Sequence, residues 1–264
     1  MKIAFISAEL MSGKSSIIAL LAGVYSRSQG KSVSIMSTGS IEDNKDIISI
    51  VYENKDLANS YVIKAIFQNG TEDKKDILNY ATKQGLEDVY LFDAVPSAIT
   101  DDEKVEFFDT CISNVPTDLT LIEIVGDVNS EVNQAALEQA DACVIIHKPN
   151  KRSMLLAKEL KNALPDKHRG FSSAFLCNEF DAEVIAEKEL NKEMNSKENA
   201  VLKIPFSRSI RKLYNKSELD KLIIGIIKGD PIIVDARIRM LEIMQWMFDT
   251  PQRKVIREVN RWYN

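Results

Sequence analysis

The stretch MKIAFISAELMSGKSSIIALLAGVYSRS, residues 1–28, reads as a strand, MKIAFISA, a turn, ELMSGKSS, and a helix, IIALLAGVYSRS. The run Ala8-Glu9-Leu10-Met11-Ser12-Gly13-Lys14-Ser15 keeps the Gly-Lys-Ser end of the GxxxxGK[ST] pattern but holds Ala8 where the first glycine belongs. Such a turn works because successive backbone N–H groups and a helix N-terminus surround phosphate oxygens, while a lysine and a hydroxyl complete the cradle. In this reading Lys14 reaches the β and γ phosphates and Ser15 holds magnesium. Ser12, Gly13 and Ser16 complete the phosphate-binding run. The competing reading is a helix cap with an accidental lysine.

Working outward, short β-type runs alternate with helical ones. KIAFIS, KSVSIMS, VYLFDAV, LTLIEIV, ACVIIHK, FSSAFLC and VLKIP are the strand candidates. SIIALLAGVYSRSQG, DDEKVEFFDTCISNV, SEVNQAALEQA and SMLLAKELKNAL carry apolar residues at a spacing near 3.6, opposite charged faces. The alternation predicts an α/β fold, a mostly parallel central sheet flanked by helices on both faces. Gly30 stands where a C-cap glycine ends the first helix. The segment 41–85 is charged and polar and reads as exposed helices and loops. From Lys216 onward the chain reads as wholly helical, with Thr250 as an N-cap and Pro251 at the first helical position of a closing segment.

The 264 residues suit one large core, with no linker rich in Pro, Gly or Ser and no internal repeat. Hydrophobic residues at 45% and charged residues at 28% argue against disorder and against a membrane protein. The longest apolar stretches, such as Ile17 to Val24, fall far short of the ~20 residues of a spanning helix. MKIAFISA runs directly into the turn and has no signal-peptide pattern, so the expected setting is the cytoplasm. A net charge of −5 argues against DNA binding by the whole surface while leaving room for a local basic patch. Cys111, Cys143 and Cys177 lack metal-ligand spacing and read as buried thiols. His147 and His168 have no neighbouring ligands, and His147, at a strand end, reads as a polar tip reaching solvent.

Three later segments, in order, are similar to a known family. LEQADACVIIHKPNKRSMLLAKEL pairs a strand after Ala-Asp with a following helix, SSAFLCNEFD is a strand ending in asparagine, and VLKIPFSRSIRKLYNKSEL is a strand ending Ile-Pro before a helix. With the Gly-Lys-Ser turn they resemble the ParA/MinD family of deviant-Walker P-loop proteins, including the pilus-localisation members called TadZ or CpaE. The resemblance covers almost the whole chain. It implies a P-loop NTPase fold of the SIMIBI type over residues 1–230, with a C-terminal helical segment, 231–264, packed on it or on a partner. It also implies ATP or ADP with Mg2+, Asn178 reading the adenine edge, Pro205 bordering the base, and a homodimer.

Three departures from the family pattern bear on function. Glu9 stands where the resemblance places the lysine that reaches across a nucleotide-sandwich dimer; at ~8 Å and an effective dielectric near 20, each pair of like charges repels by roughly 2 kcal/mol. After the second strand, Ser37, Thr38 and Gly39 replace the acidic residues that help position the attacking water. At the end of LTLIE, Glu123 stands where the family's magnesium-binding Asp is expected; a glutamate still offers hard oxygen, and Asp127 is the alternative.

Three functions compete. The first is a nucleotide-binding positioning or assembly adaptor with weak or absent ATPase activity, engaging a protein partner of an assembly system. The second is an active partition or localisation ATPase that uses Glu9 or Asp93 as base. The third is a ligase of the dethiobiotin-synthetase type, which Glu123 at the end of its strand resembles, although that strand ends Glu-Gly in those ligases where this chain reads Glu123-Ile124-Val125-Gly126, and the substrate lysine expected after the second strand is missing. PQRKVIREVNRWYN places Val255, Val259 and Trp262 on one helical face apart from Arg253, Lys254, Arg257 and Arg261, a pattern for peripheral membrane contact or for docking on protein. Arg208, Arg211, Lys212 and Lys216 in RSIRKLYNK are the candidates for DNA phosphates.

Overall fold

The computed structural model describes residues 1–7, 9, 12–39, 78, 81–83, 88–92, 101–170, 172–208, 211 and 219–249. Ala8, nearly all of segment 41–85, Asp93, Lys212, Lys216, Thr250, Pro251 and the basic tail lie outside the described residues, as does the Cys111 side chain. The chain runs β1 (Lys2–Ser7), α1 (Lys14–Gln29), β2 (Val33–Ser37), β3 (Thr82–Lys83), β4 (Val89–Leu91), α2 (Asp101–Asn114), β5 (Leu119–Glu123), α3 (Glu131–Gln139) and β6 (Ala142–His147). It continues through α4 (Lys151–Ala163), β7 (Ser173–Phe180), α5 (Glu187–Glu193), β8 (Ala200–Pro205), α6 (Leu219–Lys228) and α7 (Val234–Asp249).

Among the described residues seven strands run parallel in the order β4-β2-β5-β1-β6-β7-β8, and the two-residue β3 pairs antiparallel with β4 at one edge. Near-continuous apolar strands such as ACVIIH are what a sheet covered on both sides requires. Alternate side chains feed two cores. Ile3 and Phe5 of β1, Leu119 and Leu121 of β5 and Val144 and Ile146 of β6 pack with α1, α6 and α7. Ala4, Ile6, Ile122, Cys143 and Ile145 pack with α2, α3, α4 and α5. The mostly parallel sheet with helices on both faces is the architecture the alternation predicts.

α1 is buried along Ile17–Ser26 without interruption because it lies between the sheet and the pair α6 and α7. It ends at Gly30, whose left-handed backbone (φ 60°) lets its N–H donate to the Ser26 carbonyl. α3 and α4 start at side-chain caps: Ser130 accepts from the Asn133 N–H and Asn150 accepts from the Ser153 N–H.

Three sequence expectations need correction. The helical reading from Lys216 onward is interrupted: α6 ends at Lys228, Gly229 takes a left-handed turn, and a short 3-10 turn over Pro231–Ile233 precedes α7. Pro231 cannot donate to a continuing helix, so the chain breaks there. The strand expected to end at Cys177, or at Asn178 on the family resemblance, continues through Phe180 across an irregularity between Cys177 and Phe180. His147 does not reach solvent. It is 1% exposed, on the α4 side of the sheet, edge-on to Phe175. No described helix is long and apolar enough to cross a membrane.

The buried histidines set a pH dependence. The His168 ring, through Nε2, donates to the Leu137 carbonyl at 2.8 Å, and His147, through Nδ1, donates to the Lys148 carbonyl at 3.0 Å. Among the described residues His147 Nε2 has no hydrogen-bond partner, and it is buried. Burial pushes both rings below the ordinary imidazole value of 6.5; the Lys148 carbonyl and Glu9 oppose it at His147. The unfolded chain therefore binds more protons than the folded one from about pH 6.5 down to the folded values, and stability falls with pH across that window. The unfolding free energy from urea titration is expected to be lower at pH 5.5 than at pH 7.5, by up to about 1.4 kcal/mol per pH unit for each ring within that window. His147→Leu reduces that difference; an identical slope in the variant would contradict the assignment.

Candidate functional site

The strand order reverses at β1, which lies between β5 and β6, so the carboxyl ends of these strands open a crevice at a topological switch point. The turn after β1 leads into that crevice. Gly13 takes a left-handed conformation (φ 81°) as the N-cap of α1, and its carbonyl accepts the first helical bond from the Ile17 N–H at 3.0 Å. Glycine is needed for the conformation and for space: a Cβ here would fall well inside contact distance of Asn178 Nδ2. The first-turn N–H groups of α1 have no intrahelical acceptors, so this end of the helix presents donors and positive potential.

Behind the turn, the end of β5 supplies the counter-charge. The Ser15 hydroxyl donates to Glu123 Oε1 at 2.6 Å, and Lys14 Nζ lies 3.8 Å from the same oxygen while donating to the Ile124 carbonyl. Glu123 is buried and Lys14 nearly so. Burial lowers the Lys14 ammonium from its ordinary value, and the Glu123 carboxylate partly restores it. A cluster of three or more metal-ligating His, Cys, Asp or Glu side chains is absent among the described residues. One carboxylate plus one hydroxyl is the donor set suited to magnesium that takes its other oxygens from phosphate and water.

On the α6 and β8 side the crevice deepens into a cleft of about 190 Å³, whose lining includes Gly13, Ser16, Asn178, Glu179, Pro205 and Phe206. Asn178 Nδ2 donates to the Ser12 carbonyl at 2.8 Å. The residues expected from sequence thus fall into two adjoining groups, Lys14, Ser15 and Glu123 at the end of β5, and Gly13, Ser16, Asn178 and Pro205 along the cleft, with Ser12 buried behind them and bonded to Asn178.

Other expectations are placed differently. Asp127 is engaged within its own turn, where its Oδ1 accepts from the Asn129 N–H at 3.0 Å and from the Asn129 side-chain amide at 3.2 Å. Thr38 is structural: its Oγ1 accepts from the Val125 N–H at 2.9 Å, and its own N–H donates to the Glu123 carbonyl, bracing the end of β5. Ser37 Oγ accepts from the Gly39 N–H. The Glu9 carbonyl accepts from the Ser7 hydroxyl, and its carboxylate is near enough to His147 to act on that ring.

Sequence reasoning missed Phe206 and Glu179 and assigned Arg211 only to DNA; all three line the cleft. Phe206 is 39% exposed, a large aromatic face beside Pro205. The run IPFSRS carried the signal, an aromatic directly after the proline.

No protein-family model matches the chain, and no curated protein matches it. Solved structures do share its fold. A ParA family ATPase from Chlorobium tepidum superposes with a TM-score of 0.68 at 16% identity, covering 91% of this chain and 97% of that one. The MinC:MinD cell division protein complex of Aquifex aeolicus gives 0.66 at 16% identity, covering 91% and 95%. The septum site-determining protein MinD of Pyrococcus horikoshii, complexed with Mg-ADP, gives 0.62 at 15% identity, covering 92% and 95%. At these identities the likeness is one of fold: the chain has the P-loop NTPase fold of the ParA/MinD ATPases.

Proposed function

We propose that this chain is a ParA/MinD-type nucleotide-binding protein that takes ATP or ADP with Mg2+ and acts as a dimeric positioning or assembly adaptor with weak or absent hydrolysis. The observation that carries the reading is the Lys14–Ser15–Glu123 cluster set directly beside the Asn178 and Pro205 cleft. In this arrangement Lys14 turns from the Ile124 carbonyl to the β and γ phosphates, and the first-turn N–H groups of α1 hold the remaining phosphate oxygens. Ser15 and Glu123 hold the cation, which neutralises phosphate charge when bound. Phe206 and Pro205 cover one face of the base, and Asn178 reads its edge.

The low turnover rests on what stands at the end of β2. Thr38 spends its hydroxyl on the Val125 backbone, and neither Ser37 nor Gly39 can act as a carboxylate base. Glu9, in place of a lysine, brings a negative charge toward the phosphates instead of a positive one, which removes a cross-dimer phosphate contact. Assembly then follows from nucleotide occupancy rather than from cleavage. The adaptor role matches the pilus-localisation branch of the family in kind, and its partner is a protein of an assembly or positioning system.

The test combines calorimetric titration of MgATP and MgADP with a phosphate-release assay. Saturable binding of both, with release at the level of a Lys14→Ala control, is the expected result. Magnesium-dependent hydrolysis that Lys14→Ala abolishes would instead establish a working ATPase, and failure to bind either nucleotide would remove the nucleotide reading.

A further inference from the structure

We propose that Asn178 is a positioning residue that holds the phosphate turn in shape from the base side of the cleft, so that one amide links the two halves of the site. The inference rests on the nucleotide-binding reading above and goes beyond it by giving Asn178 a task that needs no base.

The hydrogen bond from Asn178 Nδ2 to the Ser12 carbonyl, 2.8 Å long, falls on the peptide that enters Gly13. A trans peptide is planar and its C=O and N–H point in opposite directions. Fixing the Ser12 carbonyl toward β7 therefore turns the Gly13 N–H away from β7, toward the mouth of the turn, where a phosphate oxygen would need a donor. Ser12 is buried at 3% exposure, so its carbonyl has little access to water as an alternative partner. Gly13 is the residue that tolerates this arrangement, because any Cβ would collide with the same Nδ2.

Asn178 is aimed at the turn by a distortion of β7. Glu179 is a non-glycine residue in the left-handed region (φ 56°), and the register between β7 and β8 shifts between Cys177 and Phe180. A bulge of this kind re-aims a side chain at the cost of local strain. Beyond it the ladder resumes, with the Phe206 N–H donating to the Phe180 carbonyl at 2.8 Å. Asn178 at the bulge therefore holds the phosphate turn, and Phe180 just beyond it holds Phe206, the wall of the base cleft.

Inorganic tripolyphosphate is the discriminating probe, since it has no base. In the full chain, Asn178→Ala is expected to weaken tripolyphosphate and ATP by similar factors, about five- to tenfold, the worth of one hydrogen bond. Asn178→Asp, which keeps the shape and removes the donor, should lose as much as the alanine variant. The penalty of Gly13→Ala should be smaller in the Asn178→Ala background than in the wild type, because the collision with Nδ2 is gone. A melting curve on each variant keeps misfolding apart from loss of binding, and the ratio of the two affinities is independent of the folded fraction. Loss of ATP affinity with tripolyphosphate unchanged, or full binding by Asn178→Asp, would overturn the proposal while leaving the nucleotide reading intact. Wild-type protein that binds neither ligand would overturn both.

Discussion

Lys14→Ala is expected to lower ATP affinity by roughly 10- to 150-fold and to destabilise the ligand-free protein by about 3–5 kcal/mol. The first effect is the loss of one charge-assisted hydrogen bond to phosphate, worth about 1.5–3 kcal/mol. The second arises because Glu123, 3% exposed, would lose the ammonium that faces its carboxylate while the Ser15 hydroxyl stays in place. Breaking a nearly buried pair by removing one partner costs about 3–5 kcal/mol, mostly the desolvation of the charge left behind. Lys14 itself is held at some cost, since burial pushes its ammonium below the ordinary lysine value. On the proposed function the pair serves phosphate binding more than stability. It follows that the double variant Lys14→Met with Glu123→Leu should recover most of the lost stability and none of the lost affinity. Urea unfolding and MgATP titration of the three proteins check this; a Lys14→Ala protein that binds ATP normally would remove Lys14 from the site.

Phe5→Ala should cost a further comparable amount, about 3–5 kcal/mol, by a different route. Phe5 is fully buried in β1, in the core shared by the sheet, α1, α6 and α7. Its backbone pairs in register with Glu123 on one side and Val144 on the other, and its carbonyl accepts from the Ile124 N–H. The cavity therefore opens beneath the residues that carry the Lys14 partner. With about 2–4 °C per kcal/mol for a domain of this size, the melting temperature should fall by roughly 6–20 °C. Phe5→Leu, which keeps most of the volume, should lose much less. Measured by thermal unfolding, a loss under about 1 kcal/mol in the alanine variant would mean that this core closes over the gap.

The two predictions touch the part of the molecule that its sequence made easiest to read. β1, the Gly-Lys-Ser turn and α1 are contiguous, and the apolar run, the glycine and the long apolar helix each announce themselves within a few residues. Glu123 was reached through the family resemblance, as the acid standing where a magnesium-binding Asp is expected at the end of an apolar strand. The far side of the cleft was harder because it is assembled from separate segments. β7 runs on through Asn178 and Glu179, polar and charged positions that read as the end of a strand, to Phe180, which the shifted pairing with β8 keeps in the sheet. His147 looked exposed because a strand end usually is, yet α4 folds back over it after the Asn150 cap. The break between α6 and α7 was written plainly in Gly229-Asp230-Pro231, and a continuous apolar periodicity on both sides hid it.

The place of β1 in the sheet also bears on how the protein is made. Lys2 pairs with Thr120 and Ile3 with Ala142, so β1, made before the other described strands, lies at the middle of the finished sheet. At about 5–20 residues per second, on the order of ten seconds pass before both neighbours exist. Throughout that interval KIAFIS is an apolar segment with two open edges. Contacts of such long sequence separation slow folding and expose the chain to mispairing. Synthesis of this protein should therefore lean on factors that shelter a nascent strand, and its yield should respond to translation speed through the codons between β1 and β6.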